Sequence, residues 1–252
     1  MRIAVPTDTL AHPILVHAHD VCSRLGWTLL NADVDACADM LLANKVEVAL
    51  VSPIHYGLAT GKLDLNIVDG SCVALQDYTN TMGVFFPNNV AEITRIGATN
   101  PTHFLSQMGA VVLRERFEAA NVSVDLVATN LQDVDCVLAQ PPYDNKVATL
   151  DVSEEFTDMA ECPLPVYIWA CCPEADIDAL PSVLLAMADA TYVEQQVEEE
   201  VHIHDEHFTR EGKILYRWTD EVEEGLNAVF NLLFFHQILP KLPEINLLSQ
   251  GQ

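Results

Sequence analysis

Two polar turns in this chain carry residue types that can hold an anion and give it hydrogen bonds. At Thr99-Asn100-Pro101-Thr102 a capping residue and a proline open an amphipathic run to about residue 119, the pattern of a helix N-terminus. Such a terminus offers unpaired N–H groups and the positive end of the helix dipole. Thr99, Asn100 and Thr102 add donors for a carboxylate, with His103 one step along. The same residues also suit ordinary capping, with Thr99 or Asn100 as N-cap and Pro101 at N1. The second turn begins at Ser52, which closes an apolar strand over 46–52 at the mouth of a presumed cleft, with His55 and Tyr56 behind it. A serine before a proline at a strand end is also a common turn.

Other clusters do not converge on a site. In His202-Ile203-His204-Asp205-Glu206-His207, helical spacing puts His202 with Glu206 and His204 with His207. The three imidazoles do not meet on one face, and the acidic run 198–200 beside them reads as solvated, so no metal site is assigned. Cys171-Cys172 has neither C-x-x-C spacing nor a basic neighbour and reads as a strand ending. Tyr167 and Trp169 read as packing a strand face. The absence of a Walker loop, of G-x-G-x-x-G and of G-x-S-x-G argues against nucleotide hydrolysis and serine-hydrolase chemistry.

The elements that must position these residues alternate between short apolar strands and amphipathic helices, the α/β signature. Strands are predicted at 2–6, 28–31, 46–52, 65–68, 84–86, 94–98, 122–128, 136–139 and 166–171. Helices are predicted at 13–25, 34–44, 100–119, 177–190, 191–201 and 221–239, with helical turns at 55–60 and 131–134. The pattern predicts two lobes, one formed by 1–87 with 172–252 and the other by 88–171, the chain crossing near 86–90 and 166–172. Ligand would then lie in the cleft between lobes, where strand ends and helix N-termini converge.

Composition narrows the partners. Half of the 252 residues are hydrophobic, enough for a sizeable core, and 12 Lys and Arg against 37 Asp and Glu give a net charge of −25. Because only 19% of residues are charged, this is a shortage of basic residues more than an excess of acidic ones. Such a surface repels nucleic acid and anionic membrane. It also repels free anionic metabolites unless the site is locally positive. Seven scattered cysteines, no visible secretory signal and no stretch of about 20 apolar residues predict a cytoplasmic protein with reduced thiols and no membrane span. The apolar helix around 229–239 is open either to internal packing or to a homodimer contact.

The segment 151–173, DVSEEFTDMAECPLPVYIWACCP, read with VSPIHYG at 51–57 and the N-terminal MRIAVP, resembles the menaquinone-pathway chorismate dehydratase family. In that family an acidic D-L-G-x-x-W segment leads into a T-G-L-P-F-V-x-A-x-W strand. Here Phe156 stands at the first Trp position, while Leu164-Pro165-Val166 and Trp169 keep the pattern. FFHQILPKLPEINL at 234–247 is similar to the family's terminal helix and tail. The resemblance implies a two-lobed α/β fold of the periplasmic-binding-protein type II kind.

It also implies ligand contacts. Ser52 matches a V-P-S or V-S-S strand end, and Thr99, Asn100 and Thr102 fall on the family's Ser/Thr-rich turn. Asn80 and Thr81 are the nearest polar equivalents of the serine in G-x-V-x-S-V. Thr9 meets the asparagine of V-x-Y-L-N-x-x-P, beside an apparent one-residue insertion that brings in Asp8. Gln140-Pro141-Pro142-Tyr143-Asp144 replaces I-G-D-x-A-L. Scaffold segments persist while three site-facing elements differ, a pattern that fits an altered ligand. The implied activity is loss of water from chorismate to give the enolpyruvyl-oxy-benzoate of the futalosine route, with a small anionic metabolite as partner. No metal or organic cofactor is implied, and no residue stands out as the catalytic base. The alternative is a non-catalytic cytoplasmic protein that binds a small molecule on the same scaffold.

Overall fold

The computed structural model describes residues 1–86, 93–117, 134–144, 146–173, 175, 179–203 and 206–248. In chain order the first strands and helices are β1 (Arg2–Pro6), a 3-10 helix (Thr9–Ile14), α1 (Ala18–Leu25), β2 (Thr28–Ala32), α2 (Val34–Leu42), β3 (Val48–Val51) and α3 (Pro53–Ala59). Then follow β4 (Asn66–Asp77), β5 (Gly83–Phe85), β6 (Ile96–Ala98), α4 (Phe104–Arg116), β7 (Cys136–Ala139), β8 (Leu150–Asp151) and α5 (Val152–Ala160). The last are β9 (Leu164–Cys171), α6 (Leu180–Met187), β10 (Glu194–Ile203), β11 (Glu206–Arg217), α7 (Asp220–Phe235) and β12 (Leu247–Leu248).

Two compact units result: Met1–Ala74 with Pro165–Gln195 and Leu215–Gln252, and Leu75–Leu164 with Gln196–Ile214. Sequence reading places the crossings near 86–90 and 166–172 and gives all of 172–252 to the first lobe, whereas 196–214 belongs to the second unit.

In the first unit, β1 pairs in parallel with β2 and with β3, and β3 pairs antiparallel with β9. The strand order by pairing is β10-β11-β4-β9-β3-β1-β2, with β12 on β4; residues 196–203 of β10, 206–214 of β11 and 75–77 of β4 are assigned to the second unit. β1 and β3 are continuous apolar runs because helices cover such parallel strands on both faces; Ile3, Ala4, Val48, Ala49 and Leu50 are fully buried. Each crossover helix has its own stop or start signal. Gly26 ends α1 in the left-handed region at φ 67°, and the Asp33 carboxylate accepts from the Ala36 N–H at 2.7 Å to open α2. Trp169 on β9 is fully buried, and its indole N–H donates to Ser71 at 3.0 Å. In α7, Val229, Phe230 and Leu233 pack inward, with Phe230 stacked on Tyr56, while Phe235 is 74% exposed.

The second unit holds the sheet β6-β7-β5-β8. β6 and β7 run parallel, and β5 is antiparallel to both β7 and β8. α4 buries almost its whole circumference, and Gly109 lets Leu138 of β7 approach it.

Several predicted elements are corrected. The helix expected over 191–201 is strand β10; glutamates and glutamines favour helix locally, but pairing in the sheet overrides propensity. The helix expected over 13–25 is a 3-10 helix followed by α1, divided where Leu15–His17 turn. The strand at 65–68 is the start of the twelve-residue β4. The predicted strand at 122–128 lies outside the described residues, as do residues 131–133 of the turn at 131–134.

Candidate functional site

In open α/β sheets, ligands gather beyond the carboxyl ends of parallel strands. At that edge of the first unit, β1, β2 and β3 each deliver a polar residue. After β1, Asp8 caps the 3-10 helix: one carboxylate oxygen accepts from the Leu10 N–H at 2.8 Å, the other from the Tyr167 hydroxyl at 2.6 Å. Asp33 follows β2 and caps α2, which also carries Asp35. Ser52 follows β3 in the N-cap position of α3, yet its hydroxyl does not cap the helix. It lies 2.8 Å from His55 Nδ1, and His55 Nε2 lies 3.2 Å from Asp35 Oδ1.

These contacts fix the sense of the hydrogen bonds. A carboxylate can only accept, so Nε2 carries the hydrogen toward Asp35, Nδ1 is the acceptor, and Ser52 donates to it. Ser52 therefore turns lone pairs, not its hydrogen, toward any further partner while His55 is neutral. Burial favours the neutral ring and lowers the His55 pKa, against the pull of Asp35, Asp39 and Asp33. Burial, then Asp8, raises the pKa of Tyr167, which therefore remains a donor. Ser, His and Asp in line suggest hydrolase chemistry, but Ser52 is 1% exposed, so its hydroxyl does not face solvent. Thr9 is exposed, at the start of the 3-10 helix. A cavity of about 390 Å³ lies at the opposite, amino edge of β1 and β3; there Arg2 is already held by Glu47.

The predicted anion turn lies in the second unit and is built differently from expectation. α4 starts at Phe104, and His103 is its N-cap, accepting from the Leu105 N–H at 3.3 Å. Thr99, Asn100 and Thr102 are exposed and lie ahead of the helix, with the Thr102 hydroxyl donating to Asn100 at 3.1 Å. Pro101 is therefore not the first helical residue; His103 in extended conformation displaces the start by one turn. Asn80 is exposed at φ 53°, and Thr81 is half-buried. Of the His-rich run, His202 lies in β10 and Glu206 and His207 in β11, so helical spacing does not apply, and residues 204–205 lie outside the described residues.

No family model matches the sequence, and no curated protein does. Solved structures do match. Protein AF1704 from Archaeoglobus fulgidus aligns over 94% of this chain and 97% of its own, with 12% identity and a TM-score of 0.60. An ABC transporter protein from Parabacteroides distasonis aligns over 97% and 96%, with 10% identity and a TM-score of 0.55. The alkanesulfonate-binding protein SsuA from Xanthomonas axonopodis pv. citri, bound to MOPS, aligns over 99% and 98%, with 11% identity and a TM-score of 0.53. The fold is that of the periplasmic binding proteins.

On this periplasmic-binding-protein scaffold the second unit carries, beside the predicted Thr81, groups the sequence did not single out. Asp151, 1% exposed, caps α5: its Oδ1 accepts from the Ser153 N–H at 3.0 Å and the Glu154 N–H at 3.2 Å. The Ser153 hydroxyl is 2.5 Å from the same oxygen and 2.7 Å from the Thr79 hydroxyl, which is 2.8 Å from that of Thr81. The acid at the start of an acidic helix is a visible cap signal; the approach of Thr79 and Thr81 is not. Nearby, Arg210 pairs with Glu154 and lies 4.4 Å over the Tyr78 ring, whose hydroxyl donates to Glu199. Among the described residues, no helix is long and apolar enough to cross a membrane.

Burial pushes the Asp151 carboxyl up to about 6, against hydrogen bonds from Ser153 and Glu154 and the charge of Arg210. The native state thus binds this proton more tightly than the unfolded chain does, so stability falls as pH rises from about 4 to about 6 and stays lower above. The lost contribution is on the order of 2–3 kcal/mol. Asp151→Asn keeps a capping side chain and should flatten that fall, as read by urea unfolding at a series of pH values.

Proposed function

We propose that this chain binds a small metabolite and acts on it as a chorismate dehydratase-like lyase of the futalosine route to menaquinone. The observation that carries the reading is Ser52: a buried hydroxyl, beyond the end of a parallel strand, withheld from capping its own helix and polarised toward His55. Its position supports the correspondence with the V-S-S strand end of the family, and the periplasmic-binding-protein fold supports small-molecule recognition. The proposed ligand contacts are Thr9 and Ser52 on the first unit and Asn80, Thr81, Thr99, Asn100 and Thr102 on the second. The exposed Thr99 hydroxyl and the Asn80 and Asn100 amides give the second group donors for a carboxylate, while the Thr102 hydroxyl donates to Asn100. The chemistry is removal of a proton and departure of hydroxide, which needs a base and an acid in position. The protein would act in the cytoplasm.

A specific observation favours binding without conversion. Asp8, Asp33, Asp35 and Asp39 cluster at the carboxyl edge of the first unit, and His55 feels three of them. That field disfavours a dianionic substrate and suits a ligand that presents hydroxyl hydrogens to Ser52.

Purified protein incubated with chorismate, with substrate loss and dehydrated product followed by chromatography and mass, separates the two. Turnover that falls at least tenfold in Ser52→Ala and Thr102→Ala is the expected result. Absence of turnover, with thermal stabilisation by another small acid or polyol, would assign the chain to the binding class.

A further inference from the structure

In the second unit four oxygen-bearing side chains from two chain segments stand in one line. Thr81, Thr79, Ser153 and Asp151 are joined by contacts of 2.8, 2.7 and 2.5 Å, and a fourth contact of 2.8 Å runs from Ser153 to the Asp77 carbonyl. Thr79, Ser153 and Asp151 are buried at 4%, 1% and 1% exposure, while Thr81 is half-buried. Each hydroxyl has one hydrogen, so the order of donation can be counted.

With Asp151 ionised the order is unique. Ser153 must donate to the carboxylate, Thr79 to Ser153, and Thr81 to Thr79, so Thr81 turns only lone pairs outward. With Asp151 protonated the line can reverse: the acid donates to Ser153, Ser153 to Thr79, and Thr79 to Thr81, whose hydrogen then points out. The Asp77 carbonyl competes in that state for the single Ser153 hydrogen; when Ser153 donates there, Thr79 still donates to Ser153 and the line keeps its first order. An ionised Asp151 thus leaves Thr81 an acceptor, and only a protonated one lets it donate to a ligand.

We propose that Thr81 exchanges a proton with a hydroxyl or carboxyl group of a small ligand, and that Thr79 and Ser153 carry that proton to and from Asp151. In the forward step a ligand O–H gives its proton to the Thr81 oxygen and keeps the electron pair. Thr81 passes its own hydrogen to Thr79, Thr79 to Ser153, and Ser153 to Asp151, which becomes the neutral acid. The reverse passage restores every group, and nothing is oxidised or reduced. The carboxyl titrates near 6, which lets both forms be populated near neutral pH. The groups facing it are Arg210 from β11, which favours the ion, and Glu154 from α5, which favours the acid, with the Tyr78 phenol also within its field. The inference rests on the small-molecule reading, and dehydration of chorismate is not required for it.

The test uses the whole chain. The side-chain carboxyl carbon of Asp151 is titrated by carbon-13 NMR in the wild type, Ser153→Ala and Thr81→Val. The expected midpoint near 6 in the wild type moves upward in both variants, because donors in series strengthen one another toward the ion. Thr81→Val is the decisive case, since Thr81 does not touch Asp151; an unmoved midpoint with an unchanged spectrum elsewhere makes Asp151 a helix cap and overturns the relay. In parallel, net proton transfer on mixing with chorismate is measured calorimetrically near pH 6 in two buffers of different ionisation heat. Proton uptake or release in the wild type that disappears in Ser153→Ala supports the relay. Chorismate binding with no proton transfer overturns its ligand role and leaves the binding reading intact. No chorismate binding counts against chorismate alone, and the Thr81→Val titration still decides the relay.

Discussion

Arg210→Met should destabilise the protein by up to about 3–5 kcal/mol, the range for removing one partner of a buried ion pair, here with Arg210 buried and Glu154 half-buried. Arg210 is 7% exposed on β11; its guanidinium pairs with Glu154, donates to the Ala148 carbonyl at 3.3 Å and lies over the Tyr78 ring. Methionine keeps much of the packing but leaves the Glu154 carboxylate without its cation and beside Asp151. Because Arg210 is one of the influences that lower the Asp151 pKa, its removal should push that carboxyl above 6. The sign follows: the variant's deficit is smallest in acid, where Asp151 is protonated, and grows as pH rises through its raised pKa. Urea unfolding at pH 5 and pH 8 reads this directly. Adding Glu154→Leu should recover most of the loss, since the unpaired, half-buried carboxylate is then gone. A cost below about 1 kcal/mol at pH 8 would mean that water reaches the pair and screens it.

Much of the scaffold was legible because burial writes itself into the chain. Arg2–Pro6, Val48–Val51 and Leu164–Cys171 are apolar runs bounded by turn residues, and each forms a strand close to its predicted limits. β10 was misread because it is the terminal strand of the sheet order. Glu194, Gln195, Gln196, Glu198 and Glu200 are exposed, so no alternation of apolar and polar residues survives, and charges are what edge strands carry. β4 extends past Gly70, which adopts φ 112° and interrupts the apolar pattern within a continuous strand.

At the candidate site, the location of Ser52 could be read and its partner could not. The turn signal Ser-Pro marks the strand end, but the withdrawal of its hydroxyl to His55 depends on side-chain geometry. Asp8 looked like an added negative charge; in the structure Tyr167, 159 residues away, donates to it. Thr79 and Ser153 are 74 residues apart and meet beside the pairing of β5 with β8. No spacing rule reaches across that distance.

Gly212→Ala should cost about 3 kcal/mol or more, the upper end of the range for overpacking. A Cβ built there would lie 2.3 Å from the Tyr78 carbonyl oxygen, 2.5 Å from the Tyr78 nitrogen and 2.6 Å from the Gln76 oxygen. All three are backbone atoms, so no rotamer change relieves the contact. Relief needs β11 to move from the end of β4, where the Tyr78 N–H donates to the Glu211 carbonyl at 3.2 Å. Gly61→Ala is the matched control: its nearest neighbours would be at 3.8 and 4.0 Å, so equilibrium unfolding should show almost no change there. A Gly212→Ala loss as small as that of the control would mean that β11 and β4 slide freely past one another. The consequence reaches the proton relay, because the segment pushed aside continues from Tyr78 into Thr79 and Thr81. Displacing it lengthens the 2.7 Å contact between Thr79 and Ser153, so the Asp151 midpoint should rise in Gly212→Ala as it does in Thr81→Val. A backbone contact at one glycine thereby tests whether the hydroxyl line depends on the strand that supports it.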